Sequence, residues 1–210
     1  MLQYIEIIQL SIYSLAVALL IVYLSTLPKR SLFFSSLLFV LAFLGSNLIP
    51  LYRGSSLVEL LRGAIGDVST TSGALMIFII INQFNFSESK ARVLCPWEKV
   101  GLIFLGTLLY LSTFGFINFD VYNLGYLSPS MLLFFSGLSL VLILFNRSLG
   151  YIWLLAMVAF YFKLQYSNNL WDYLYDPLLW LVLLVNGLSS IMSLNLRKRT
   201  ALMNADNSFL

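Results

Sequence analysis

Apolar residues fall into seven long blocks along the chain, and polar residues collect in the short stretches between them. The blocks are Ile5–Leu27, Ser31–Ile49, Asp67–Phe84, Val100–Phe116, Pro129–Phe145, Leu149–Leu164 and Pro177–Leu196. Each approaches the roughly 20 apolar residues that a helix needs to cross a bilayer core. Proline marks their limits: Pro28, Pro50, Pro96, Pro129 and Pro177 all stand at block ends or in connections. In mid-span a proline would remove a backbone hydrogen bond that lipid cannot replace. The pattern predicts an all-α, polytopic transmembrane helical bundle of seven spans. It forms a single domain over residues 1–199, with a polar tail at 200–210. The block Leu149–Leu164 is short, and six spans result if it is re-entrant or interfacial.

Charge gives the orientation. With seven spans, Lys29, Arg30, Lys90, Arg92, Lys99, Arg147, Arg197, Lys198 and Arg199 share one side, nine of the twelve basic residues. Arg53, Arg62 and Lys163 lie on the other. The positive-inside rule then predicts the N-terminus outside and the C-terminus and its tail in the cytoplasm of a bacterial inner membrane. The first block lacks a basic n-region and a small-residue cleavage site, so it reads as a retained helix. Trp97, Trp153, Trp171 and Trp180 sit near block ends and are expected to act as interfacial anchors.

Composition narrows the function classes. Hydrophobic residues make up 60% of the 210 and charged residues 10%, against about 25% charged in a soluble domain. The mean hydropathy is +0.91. The net charge of +3 fits cytoplasmic basic loops facing anionic headgroups; no basic stripe with interleaved aromatics points to nucleic acid. The chain has no histidine and one cysteine, Cys95. This removes the commonest general base and makes Cys95 an ordinary reduced thiol in a cytoplasmic loop. There is no phosphate-binding loop, dinucleotide fingerprint, His-Glu-x-x-His or Gly-x-Ser-x-Gly, and the spans carry no arginine series for voltage sensing.

Three stretches on the predicted outer side hold the candidate chemistry. In the first, residues 59–72, Ser56–Leu61 is expected to form a short interfacial helix. Gly63 and Gly66 allow a close turn, and Asp67 is expected to cap the third span. Arg62 can pair with Glu59 or Asp67, or bind an anionic headgroup with its guanidinium fork. Gly66, Ser69, Thr70 and Gly73 fall on one face, suited to tight helix packing or to lining a path. The second stretch, Asn118–Tyr126, reads as a turn with Asp120 and Tyr122. The third, Asn168–Pro177, reads as a short helix leading into the last span, with Asp176 as N-cap before Pro177. Asp172 lies four residues from Asp176 on the same face and needs a partner: Arg62, Lys163 or a hard divalent cation. No other cofactor is expected. Sidedness suggests that Arg62, Asp67, Asp120, Tyr122, Asp172 and Asp176 converge in one outer pocket.

The stretch Arg62-Gly63-Ala64-Ile65-Gly66-Asp67-Val68-Ser69 resembles an Arg-Gly-x-x-x-Asp-apolar-Ser motif. That motif occurs in the membrane domains of lipoteichoic-acid-synthase-like and phosphoethanolamine-transferase-like envelope enzymes. Together with Asp120–Tyr126 and Asn169–Pro177, it makes the chain similar to a family of small multi-pass bacterial inner-membrane proteins of uncharacterised activity. The enzymes carry a large extracytoplasmic catalytic domain with a threonine nucleophile and histidine ligands; this chain has neither the domain nor a histidine. The resemblance therefore implies a lipid-facing scaffold. The expected function is a non-enzymatic membrane subunit in cell-envelope assembly that binds membrane lipids and a partner, another envelope membrane protein or a second copy. An enzyme acting on a lipid-linked phosphate headgroup and a small transporter or flippase are the alternatives.

Overall fold

Every apolar block becomes a helix. The structure, a computed structural model, describes residues 2–25, 32–84, 93–126 and 128–207. The long helices are α1 (Leu2–Leu24), α2 (Leu32–Leu48), α4 (Thr70–Phe84), α5 (Pro96–Thr113), α6 (Ser128–Leu144), α7 (Ser148–Tyr161) and α9 (Pro177–Asn207). Two short helices, α3 (Leu57–Ile65) and α8 (Leu170–Leu174), lie in the connections. A small hairpin of β1 (Pro50–Tyr52) and β2 (Ser55–Ser56) precedes α3. Among the described residues, Gln3–Leu24 is the one helix that is both long and apolar enough to cross a membrane by those two criteria. Shorter apolar helices include Phe33–Leu48, Pro129–Leu144 and Ser148–Tyr161. The basic residues Lys29, Arg30, Lys90 and Arg92 lie outside the described residues, as do the side chains of Arg197, Lys198 and Arg199. Helix α9 continues to Asn207, through most of the expected tail.

The connections meet at two ends. Residues 66–69, 119–126 and 165–176 are tied together at one: Gln165 donates to the Val68 carbonyl, Trp171 to that of Val121, and Asn169 to that of Tyr122. At the other end Arg147 donates to the Cys95 thiol at 2.7 Å and stacks over Trp97. Consecutive long helices from α4 to α7 thus run antiparallel. Helices α1, α2 and α3 form one flank, with Tyr13, Val58 and Val68 at its centre. The larger core lies among α4 to α9 and includes Phe135, Trp153 and Trp171, with both tryptophans edge-on to Phe135.

This places three of the four tryptophans differently from the expectation of interfacial anchors. Trp153 and Trp171 are buried core residues, and Trp180 is half-buried with its indole N–H on Thr107. Trp97 alone is exposed. Sequence position near a block end does not say which way a ring faces.

Helices α6 and α7 turn back on each other within three residues and pack backbone to backbone. A Cβ at Gly150 would stand 2.7 Å from the Ser139 carbonyl oxygen and 2.9 Å from the Ile143 amide nitrogen, neither of which can rotate away. Gly150→Ala is expected to cost about 1–3 kcal/mol by overpacking. Gly137→Ala on the same hairpin meets open space and should be neutral or stabilising by up to about 1 kcal/mol through helix propensity. Unfolding of both variants in detergent checks this.

Candidate functional site

Part of the polar set singled out in the sequence, namely Arg62, Asp67, Thr70 and Asp176, lies around one non-helical stretch, Gly66–Ser69, between α3 and α4. Ser56 and Glu59 start α3 with a reciprocal capping box; Glu59 is therefore committed to the cap and does not pair with Arg62. The expected helix at Ser56–Leu61 forms and runs one turn further, to Ile65. Gly66 ends it at φ 95°, a conformation that favours glycine.

The backbone N–H and C=O groups of Gly66, Val68 and Ser69 all find partners. The Gly66 amide bonds the Arg62 carbonyl, and the Gly66 carbonyl accepts from the Tyr13 hydroxyl at 2.6 Å. The Gln9 side chain clamps both backbone polar groups of Val68: Oε1 accepts from the Val68 N–H at 2.8 Å, and Nε2 donates to the Val68 carbonyl at 3.2 Å. The Gln165 Nε2 donates to the same carbonyl and to the Thr70 hydroxyl. The Ser69 amide donates to Asp176 at 2.9 Å, and the Ser69 carbonyl accepts from Gly73. Gln9, Val68, Ser69, Gln165 and Asp176 are all buried. Irregular backbone can lie inside a low-dielectric interior only when its polar groups are satisfied in this way.

Asp176 is the centre of the arrangement. As the N-cap of α9, its Oδ1 accepts from the Leu179 amide at 2.8 Å. Its Oδ2 accepts from the Ser69 amide and from the Ser69 and Ser72 hydroxyls. Four donors and no acceptor suit a carboxylate, which can only accept. Asp176 thus joins the first turn of α9 to the first turn of α4. The α4 cap itself is Ser69, whose Oγ accepts from the Ser72 amide at 3.1 Å. This corrects the expectation that Asp67 caps that helix. Asp67 instead holds Arg62, with Nε to Oδ1 at 2.8 Å. Glu6 approaches the same guanidinium at 3.6 Å, and the Tyr166 ring lies 5.7 Å from it. Burial disfavours the Arg62 charge, but Asp67, Tyr166 and Glu6 together raise its pKa above the usual value.

Asp172 and Asp120 belong elsewhere. Both Asp172 oxygens accept from the Tyr122 hydroxyl, at 2.9 and 3.0 Å. Its protein partner is thus the Tyr122 phenol rather than Arg62 or Lys163. Asp120 is exposed and caps its own turn through the Asn123 amide at 3.0 Å. Asp67, Asp120, Asp172 and Asp176 therefore occupy four stations, each with its own donor, rather than one open pocket. Among the described residues, no group of three or more His, Cys, Asp or Glu residues could hold a metal ion. Gly73, expected on a packing face, does pack: a Cβ there would stand 3.1 Å from Ile12 of α1.

Burial and the facing carboxylate of Asp172 push the Tyr122 phenol above the ordinary tyrosine value of 10.0. The folded protein therefore keeps this proton at pH values where the unfolded chain has lost it. Stability from Tyr122 is fully present below about pH 10 and is lost as pH rises towards the folded value. Tyr122→Phe is expected to cost about 1–3 kcal/mol at neutral pH, because Asp172 loses its donor. The variant should also lose less stability than the parent above about pH 10. Unfolding of both proteins across that range tests the sign.

Gln9, Tyr13 and Gln165 were not singled out in the sequence. The signal existed for Gln9: it is an amide within an apolar block, a position that lipid disfavours. Its partner, 59 residues away, was not legible.

A cavity of about 490 Å³ lies beside this network, between α4, the start of α5 and α9, and touches it at Ser72. Compared with known proteins, the chain matches no family model, no curated protein and no solved structure.

Proposed function

We propose that the protein is a seven-span bacterial inner-membrane protein, N-terminus outside and C-terminus in the cytoplasm. We propose further that it acts as a non-enzymatic scaffold or subunit in the cell envelope, binding lipid and a partner protein. The observation that carries this reading is the inverted placement of side chains. Large apolar residues along the long helices are exposed, among them Phe33, Phe104, Leu133 and Val185, while Gln9, Ser14, Ser69, Thr71, Asn169 and Asp176 are buried. Apolar surface of that extent is unstable in water and ordinary in lipid. Helix α4 has 15 residues and α7 has 14, only about 21–23 Å at 1.5 Å per residue. The internally bonded stretch Gly66–Ser69 adds to α4 the depth a crossing needs.

The scaffold reading is favoured over the headgroup enzyme by how the acids are used. Asp67 and Glu6 both face Arg62, which leaves its guanidinium poorly suited to an anionic headgroup. Asp172 and Asp176 hold the fold together through Tyr122 and the serines. The partner face we propose is the exposed outer hairpin, where Leu51 and Tyr52 are exposed and Arg53 lies over the Tyr52 ring. Purification in a mild detergent tests the reading. The parent should carry a stoichiometric partner, a second copy or another membrane protein. Leu51→Glu, a substitution on an exposed residue, should lose it while unfolding unchanged. A strictly monomeric, partner-free parent contradicts the scaffold role. An Asp172→Asn variant that folds and keeps full cellular function removes the enzyme alternative.

A further inference from the structure

The cavity beside the network has the shape and chemistry of a lipid-chain site. It follows α4 from Ser72 through Met76 to Ile79 and α9 from Leu178 to Asn186. At 1.5 Å per residue the α9 side is about 12 Å long, parallel to the helix axes. Its walls are apolar except at the ends. At one end Ser72 is committed to Asp176, which ties α4 to α9. At the other end stand Lys99 and Asn186. Lys99 is exposed and is the one charged residue among those lining the cavity; among the described residues it makes no ion pair. The neighbouring Glu98 is buried and accepts from the Cys95 amide. Ile79 and Val182 on the cavity wall are half-exposed on the apolar exterior, so the cleft opens sideways.

We propose that this cleft binds one acyl chain of an anionic phospholipid from the cytoplasmic leaflet, with the phosphate headgroup at Lys99 and Asn186. The proposal rests on the seven-span reading, which puts Lys99 on the cytoplasmic side. A chain running along the helix axes, an opening towards lipid and a cation at the interfacial end are what a phospholipid in its own leaflet presents. The volume lies within the about 300–1,000 Å³ of ordinary ligand sites. A cation in an interfacial cleft favours anionic over zwitterionic headgroups.

The test is lipid retention. The protein is reconstituted in vesicles of equal parts phosphatidylglycerol and phosphatidylcholine, extracted in mild detergent, and its bound lipid is identified by mass spectrometry. The parent is expected to retain one phosphatidylglycerol. Lys99→Gln should reduce the preference for phosphatidylglycerol about five-fold. Ile79→Trp, which fills the cleft from its half-exposed rim, should abolish retention. Phe104→Trp, on exposed surface away from the cleft, should retain lipid as the parent does. Unfolding of each variant separates cleft filling from misfolding. Equal retention of both lipids, indifference to Ile79→Trp, or no retained lipid overturns the proposal and leaves the cleft to this chain or a second copy. Sidedness is read separately by labelling, so failure here with the predicted sidedness removes the lipid site alone.

Discussion

Asp176→Ala is expected to lower the free energy of unfolding by about 3–5 kcal/mol. The substitution takes away the acceptor of two buried backbone amides, Ser69 and Leu179, and of two hydroxyls. The hydroxyls of Ser69 and Ser72 are 3.2 Å apart and can turn to each other. The two amides cannot, and each orphaned buried N–H costs about 1–3 kcal/mol. Asp176→Asn separates the two functions of the side chain. Its remaining oxygen can still cap α9 through Leu179, but its NH2 group then faces the Ser69 N–H, donor against donor. The expected loss is about 1–3 kcal/mol. Detergent unfolding ranks the three proteins; an alanine variant as stable as the parent contradicts the central place given to Asp176.

Gly125→Ala is the second large effect. Gly125 is buried, and a Cβ there would collide with the Asn169 Oδ1 and lie 2.7 Å from the Trp171 ring. The Asn169 side chain must leave. With it go the cap on α8, where Oδ1 accepts from the Trp171 amide at 3.0 Å, and the bond from Nδ2 to the Tyr122 carbonyl. Overpacking together with two broken hydrogen bonds predicts a loss of about 3 kcal/mol. The displacement also disturbs the turn that aims Tyr122 at Asp172, so the high-pH behaviour should change along with stability. Asn123→Ala, an exposed position in the same turn, should stay within about 0.5 kcal/mol of the parent. Equal unfolding of Gly125→Ala and Asn123→Ala would show that the Gly125–Asn169 contact is not tight.

Helix positions were legible because lipid-length apolar blocks and prolines carry them, and seven long helices fall on seven blocks. The cap at Asp176 was legible because Pro177 follows it directly; the box between Ser56 and Glu59 was not read, since Glu59 stood equally well as a partner for Arg62. What sequence could not show was the pairing of polar side chains across the fold. Asp67 and Ser69 are both credible caps for α4, and only the arrival of Asp176, 107 residues later, makes Ser69 the one. Asp172 looked unpartnered because Tyr122, its donor, is 50 residues away and reads as an ordinary turn aromatic. The three stretches do meet at one end of the molecule, but a pattern of loop charges cannot distinguish an open pocket from a set of separately satisfied pairs.

The sidedness of three positions tests the central claim most directly. In a Cys95→Ser background, single cysteines replace Leu51, Phe119 and Lys99, all exposed in the structure. Bacteria expressing each variant are treated with a membrane-impermeant maleimide, intact and after lysis. The seven-span account predicts that positions 51 and 119 label in intact cells and that position 99 labels only after lysis. Labelling of position 99 in intact cells, or protection of 51 or 119 until lysis, would contradict the proposed topology and the scaffold reading built on it.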